Sequence, residues 1–404
     1  MSRGFLGRGQ LGVQESRHAK AHDLLREIER AREAKRRIDR IVSLMLESQE
    51  ALRKEDFDAA VGHANAIIQL DPQNPEANEM LAMIGKAREA KRRKAEIDVL
   101  LTKAEEALAR EEVEQARSLA DKALALDPSY APAWAALAEA VWVPADEGYR
   151  DANAAARESL EAARKAMDLD PQLALAHSMT GNVQFSYYWD WPAADASFRK
   201  ALECDPNDTG AVFRSAFLAM GLGRVDDAVA LFRRAVTLSP ISPSAHEWLS
   251  RVYVVSNRLD DAEKEIRTAL ELSPDLSQGW YQLGLVLLEK GESKAALEAI
   301  QKERAENWRL PGLALAWHAL GRRTESDAAL TGVTDKYGDT MAFQIAEVYA
   351  YRGEGDEAFA WLERAYRQRD AGLPCCLKTD PLLKNVKGDA RYADLLRRMK
   401  LPVD

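Results

Sequence analysis

Residue types able to do chemistry are few in this chain, and most are spaced wrongly for it. Gly4, Gly7, Gly9 and Gly12 mimic a phosphate-cradling loop, yet no strand pattern precedes them and no Lys-Ser or Lys-Thr pair follows. They read as a flexible arm over residues 1–14. His18 and His22 lie one helical turn apart and could share a metal, but a third ligand is missing and the site would be open to water. Cys204, Cys375 and Cys376 have neither zinc nor CxxC spacing, and adjacent cysteines rarely bridge because of their geometry. No Ser-His-Asp order and no HExxH appears. The expectation is a non-enzymatic chain with no cofactor and no metal, in a reducing cytoplasm.

The elements that must position any functional side chain are announced by a recurring prolyl step: Asp71-Pro72, Asp127-Pro128, Asp170-Pro171, Asp205-Pro206, Ser239-Pro240 and Ser273-Pro274. Successive prolines are 56, 43, 35, 34 and 34 residues apart, so the second half settles on the period of a two-helix repeat. Charged residues make up 30% of the 404 and aromatics only 7%, a composition of packed helices. With 56 Lys plus Arg against 65 Asp plus Glu the net charge is -9, which argues against nucleic acid as a global partner. No apolar run reaches the 20 or so residues a membrane span requires, and residues 1–14 lack the apolar core of a secretory signal.

Within one period, Leu249, Tyr253, Ala262, Ile266 and Ala269 fall where two antiparallel helices must touch, with a polar turn at Asn257 between them. The second helix then meets Ser273-Pro274, where the missing amide hydrogen and the ring clash stop it. The pattern returns as Ala116, Ala120 and Ala123, as Ala194, Phe198 and Ala201, and as Ala228, Phe232 and Ala235. It continues through Trp280, Leu283, Gly284, Gly291 and Ala296 to looser copies turning at Gly321 and Gly353 and ending in Ala358, Leu362 and Ala365. These spacings resemble the tetratricopeptide repeat, over nearly the whole chain from about Ile41. The resemblance implies an all-α fold: a right-handed α-solenoid of about nine helix pairs, with a C-terminal capping helix. Residues 388–404 suit that cap, because Tyr392, Leu395, Leu396 and Met399 form one stripe with arginines opposite.

In that family the concave wall of helix A binds partners. The corresponding positions here include Glu139, Trp142, Asn182, Phe185, Phe213, Phe217, Met220, Glu247, Arg251, Tyr281, Leu285, Leu288, Phe343 and Glu347. The members that clamp a chaperone's C-terminal carboxylate carry Lys at the fifth position of a repeat and Asn at the ninth. This chain has Glu79, Ala135, Ser178, Phe213, Glu247, Tyr281 and Phe343 at the fifth, so such a clamp is not expected. The wall suits a hydrophobic helix, an extended peptide or a neighbouring subunit, although the same side chains also serve to pack one repeat on the next. The aromatic run Phe185 to Trp191, with Asp380-Pro381-Leu382-Leu383 and Arg391-Tyr392, is also similar to repeat regions appended to bacterial adenylate cyclases, winged-helix regulators and Ser/Thr kinases. That likeness transfers architecture only.

Two departures from a generic array stand out. About nine extra residues between Val141 and Ala152, including Pro144 and Gly148, predict a projecting loop. Residues 31–72 and 87–128 are one unit written twice, identical at 18 of 42 positions, and both begin Ala-Arg-Glu-Ala-Lys-Arg-Arg. Each has a first helix extended by about 22 residues, and the extensions lack large apolar residues between Ile28 and Ile38 and between Ile84 and Ile97, so long protruding helices are expected near residues 15–53 and 76–110. The resulting division is an arm over 1–14, a duplicated module over 15–130, a solenoid over 131–387 and a cap. The basic band Arg32, Lys35, Arg36, Arg37, Lys91, Arg92 and Arg93 reads first as a solvated helix face, with Glu33–Arg37 and Glu89–Arg93 as i, i+4 pairs, and otherwise as a second contact for an acidic protein. The function expected is a scaffold or adaptor for a protein or peptide. A self-associating structural subunit, or a regulatory partner of a separately encoded signalling enzyme, is the alternative.

Overall fold

The structure, a computed structural model, describes residues 6–110, 112–146 and 152–403. Among the described residues there is no strand, and the helices follow one another in packed pairs. The chain divides into two compact units, residues 1–98 and 99–404.

The first unit holds α1 (Leu6–Arg53), α2 (Phe57–Leu70) and the first part of α3 (Pro75–Ala109). Asp56 starts α2 by accepting the Ala59 amide at 3.0 Å, and Asp71 ends it in an extended conformation, φ -140° and ψ 91°, as a residue before proline must. Leu44 and Ala51 from α1, Ala60, Ala64 and Ile67 from α2, and Ala77, Met80 and Ile84 from α3 make its small cores. The alanines let the axes approach, and the Ser48 hydroxyl closes the α1–α2 contact by donating to the Ala60 carbonyl at 2.8 Å. Residues 6–14, expected as a flexible arm, lie on the backbone of α1. Extending an existing helix requires no new nucleus, and each glycine costs only about 1 kcal/mol.

The second unit continues with the end of α3 and α4 (Val113–Leu126). Then come α5 (Ala131–Asp146) with α6 (Ala152–Leu169), α7 (Ala174–Val183) with α8 (Trp191–Cys204), α9 (Thr209–Gly221) with α10 (Val225–Leu238) and α11 (Pro243–Val255) with α12 (Leu259–Leu272). The remaining pairs are α13 (Gly279–Glu289) with α14 (Ser293–Ile300), α15 (Glu306–Ala319) with α16 (Arg323–Tyr337) and α17 (Ala342–Tyr351) with α18 (Gly355–Gln368). The consecutive helix pairs of the second unit are those of the right-handed α-solenoid expected. The triplets Ala228, Phe232, Ala235 and Ala262, Ile266, Ala269 are fully buried, as their spacing predicted. The turns inside a pair need a left-handed residue: Gly291, Gly321 and Gly353 supply it, and Asn257, at φ 57°, supplies it between α11 and α12. The projecting loop expected from Val141 is corrected in part, because α5 runs on to Asp146, held by buried Val141 and Trp142. Residues 147–151 lie outside the described residues.

After α18 the chain forms a short helix, α19 (Gly372–Cys376), a 3₁₀ turn over Pro381–Asn385 and α20 (Ala390–Arg398). The predicted stripe Tyr392, Leu395, Leu396 and Met399 is buried, but its contacts correct the idea of a simple end cap. Leu373, Leu383, Tyr392, Leu395 and Met399 share one core with Phe185, Trp191, Phe198 and Leu218 from the α7–α9 region. The Trp191 Nε1 donates to the Met399 carbonyl at 2.8 Å, and Arg369 donates to the Tyr187 carbonyl at 2.9 Å. Pro374 and Pro381 each sit in the first turn of a five-residue element, and this apolar stretch covers an existing wall instead of adding a repeat.

Candidate functional site

The inner wall of the second unit is built by α9, α11, α13 and α17, and the segment α19 to the 3₁₀ turn lies upon it. Contact is intimate at Gly221, where a Cβ would stand 2.0 Å from the Pro374 carbonyl oxygen. A cavity of about 50 Å³ remains at the join, lined by Met220, Trp248, Arg251, Gln282 and Leu285 from the wall and by Cys376, Thr379, Asp380 and Leu382 from the segment.

Of the residues picked from the sequence, the structure brings together Met220, Glu247, Arg251 and Leu285. Arg251 donates to Glu247 at 2.9 Å and to the Gln278 amide oxygen at 2.7 Å, and its guanidinium stacks 4.8 Å from the centre of the Trp248 ring. Burial pushes the Glu247 carboxyl up, and the Arg251 charge pulls it part of the way back. Phe213 and Phe217 are half-buried on α9, with ring centres 5.7 Å from Phe232, and Phe217 lies 4.6 Å from Trp248. Asn182 and Leu285 are also half-buried.

Others at these positions are structural. Trp142 is buried edge-on to Tyr187, and Phe185 is buried against Trp191 in the closing core. Tyr281 and Leu288 lie in the solenoid core, and Phe343 is buried where Gly372 passes within 2.6 Å of its ring as a Cβ would see it. Glu139 accepts from Arg214 at 2.7 Å, while the Ser178 hydroxyl accepts from the same guanidinium at 3.0 Å, so one arginine ties α5, α7 and α9.

Glu347 is buried beside Asp380 of the covering segment. Burial, reinforced by that neighbouring carboxylate, raises its carboxyl well above the usual range. The Cys376 thiol is likewise raised, first by its hydrogen bond with Cys375 and then by burial, which keeps it from acting as a thiolate nucleophile. Asp380 starts the 3₁₀ turn by accepting the Leu382 amide at 2.7 Å, and half-buried Asp370 accepts the amides of Phe343 and Gly372 at 3.1 and 2.9 Å. Sequence reading missed Trp248, Gln278, Asp370 and Asp380 as parts of this site. The available signal was Asp380-Pro381, a helix-start step that falls outside the 34-residue phase.

The second predicted contact is exposed. Arg37 reaches Asp71 at 3.7 Å, Lys91 reaches Glu55 at 2.6 Å and Arg92 pairs with Glu89 at 3.1 Å, so the partners differ from the i, i+4 pairs expected, while Arg32, Lys35, Arg36 and Arg93 are exposed to water. Among the described residues no group of His, Cys, Asp and Glu could hold a metal, and no helix is long and apolar enough to cross a membrane.

The tetratricopeptide repeat family model matches residues 213–277 and 249–311. Tetratricopeptide repeat protein 37 of Xenopus laevis is 26% identical over 163 residues, 40% of this chain and 10% of that protein. Anaphase-promoting complex subunit 7 of Arabidopsis thaliana is 31% identical over 118 residues, 29% of this chain and 21% of that protein. The chain thus spans about a tenth to a fifth of the length of these relatives. Among solved structures, the anaphase-promoting complex hetero-tetramer Cut9–Hcn1 aligns with a TM-score of 0.50 at 16% identity, covering 88% of this chain and 75% of that one, a likeness of fold alone.

Proposed function

From the premise that residues 213–311 are tetratricopeptide repeats within a right-handed α-solenoid, we propose that this chain is a non-catalytic scaffold or adaptor that holds a protein or peptide on the concave wall of its second unit. One observation carries the reading. A stretch of the chain outside the repeats, α19 and the 3₁₀ turn from Leu373 to Asn385, rests on that wall with Cys376, Asp380 and Leu382 facing Met220, Arg251 and Leu285. A surface that accepts such a stretch suits a partner segment of the same chemistry, with aliphatic anchors flanking a carboxylate that Arg251 can meet. Phe213, Phe217 and Asn182 extend the surface, and the chain's own stretch competes for part of it. Three free cysteines fit a reducing compartment such as the cytoplasm. The likeness to an anaphase-promoting complex subunit favours a second reading, a structural subunit of a multiprotein assembly.

The test is affinity capture from the native cell followed by mass spectrometry. Phe217→Glu with Leu285→Glu should reduce capture about tenfold or more while helicity is unchanged, since both side chains are half-buried. Leu382→Glu, which loosens the covering stretch, should increase it. Equal capture of one partner set by all three forms overturns the assignment of the wall.

A further inference from the structure

We propose that α1 pairs with α1 of a second copy of this chain as a parallel, two-stranded coiled coil. The proposal does not depend on the concave wall. Leu24, Ile28, Ile38 and Val42 are 59%, 40%, 60% and 51% exposed. At 3.6 residues per turn they fall on one line, while Leu44, Ser48 and Ala51 face α2 from the other side of the same helix.

The line has heptad grammar over residues 21–42. Ala21, Ile28, Lys35 and Val42 occupy a positions, and Leu24, Ala31 and Ile38 occupy d positions. Branched residues at a with leucine at d favour two parallel strands. Ile38 at d alone leans toward higher order, and Lys35 at a opposes that, because three or four ammonium groups would converge on one axis. Outward positions are charged: Arg26, Glu29, Arg30, Glu33, Arg36, Arg37 and Arg40 take b, c and f. In parallel register, Glu27 at g meets Arg32 at e of the second helix, an attraction made twice across the two-fold axis.

The duplication supplies an internal comparison that points to the same face. At the places of Ile38, Val42 and Leu46, the second copy has Lys94, Asp98 and Thr102. The inward positions are kept, Ile41 as Ile97, Leu44 as Leu100 and Ala51 as Ala107. Hairpin packing therefore does not demand apolar residues at these three places. Where the sister helix is apolar, at Met80 and Ile84 in place of Leu24 and Ile28, it is buried against α2, whereas α1 exposes the line from Leu24 to Leu46, about 33 Å of helix. An apolar line exposed along its length on one helix, and either buried or polar at the matching places of its sister, marks an interface.

Sedimentation equilibrium on the full chain, over a series of about 1–200 µM because association follows mass action, gives the test. Wild type should approach twice the chain mass. Ile38→Lys with Val42→Asp, which copies the sister helix at exposed positions, should weaken association at least about tenfold with unchanged circular dichroism. Glu27→Arg should weaken it, and adding Arg32→Glu should restore it. A wild type that stays monomeric throughout, or a dimer indifferent to the Ile38 and Val42 changes, overturns the proposal, and failure of the charge swap to restore association overturns the parallel register.

Discussion

Two apolar surfaces in this molecule have opposite fates. The concave wall of the second unit, with Met220, Trp248 and Leu285, is covered by residues of the same chain, whereas the line Leu24 to Val42 on α1 faces water. The wall is covered by a segment that has no repeat period and two prolines, and whose Leu373, Leu377 and Leu383 belong to the fold's own core. The uncovered line has no exposed counterpart on the duplicate helix, where Met80 and Ile84 are buried and Lys94, Asp98 and Thr102 are polar. An apolar surface with an internal occupant and one without it pose different questions, of release in the first case and of recruitment in the second.

Three substitutions sharpen or break that contrast. Trp191→Ala removes both a buried ring of the closing core and the donor to Met399, and should cost about 3–5 kcal/mol in chemical denaturation. A loss below about 1 kcal/mol would mean that the covering segment is only laid against the wall. Gly221→Ala places a methyl against the Pro374 carbonyl, a backbone atom that cannot rotate away. The expected cost is about 1–3 kcal/mol, with faster amide exchange confined to α19 and the 3₁₀ turn. The smallest effect concerns Glu347. Its native carboxyl is raised, so the native state binds that proton more tightly than the unfolded chain does. Stability from this group is complete below the ordinary carboxylate range and is lost as pH rises through the raised native value. Glu347→Gln should abolish that loss, raising stability in urea denaturation at alkaline pH and changing it little in acid. An unchanged pH profile would separate Glu347 from the covering segment.

The solenoid was legible because its signals are local. Prolyl stops, alanine spacings and turn residues such as Asn257 act within one hairpin, so each copy announces itself. The covering of the wall was not legible, because it joins Phe185, Trp191 and Phe198 to residues 373–401 through contacts that no period encodes. For the same reason Trp142, Phe185 and Phe343 looked like groove residues: an inward aromatic position has one appearance whether its occupant is a partner or the chain itself. The line on α1 was overlooked for a different reason. The gap between Ile28 and Ile38 reads as an all-polar helix until the apolar residues on either side are placed on one face.

The bond from Trp191 to Met399 spans 208 residues of sequence, and this has a consequence during synthesis. At about 5–20 residues per second, a ribosome emits the aromatic core of the α7–α9 region roughly 10–40 s before the strip that seals it. Through that interval Phe185, Trp191 and Phe198 lack their cover on the nascent chain. The core of the α7–α9 region is thus completed only after residues 373–401 have been translated, which makes this stretch the natural place for a chaperone to wait.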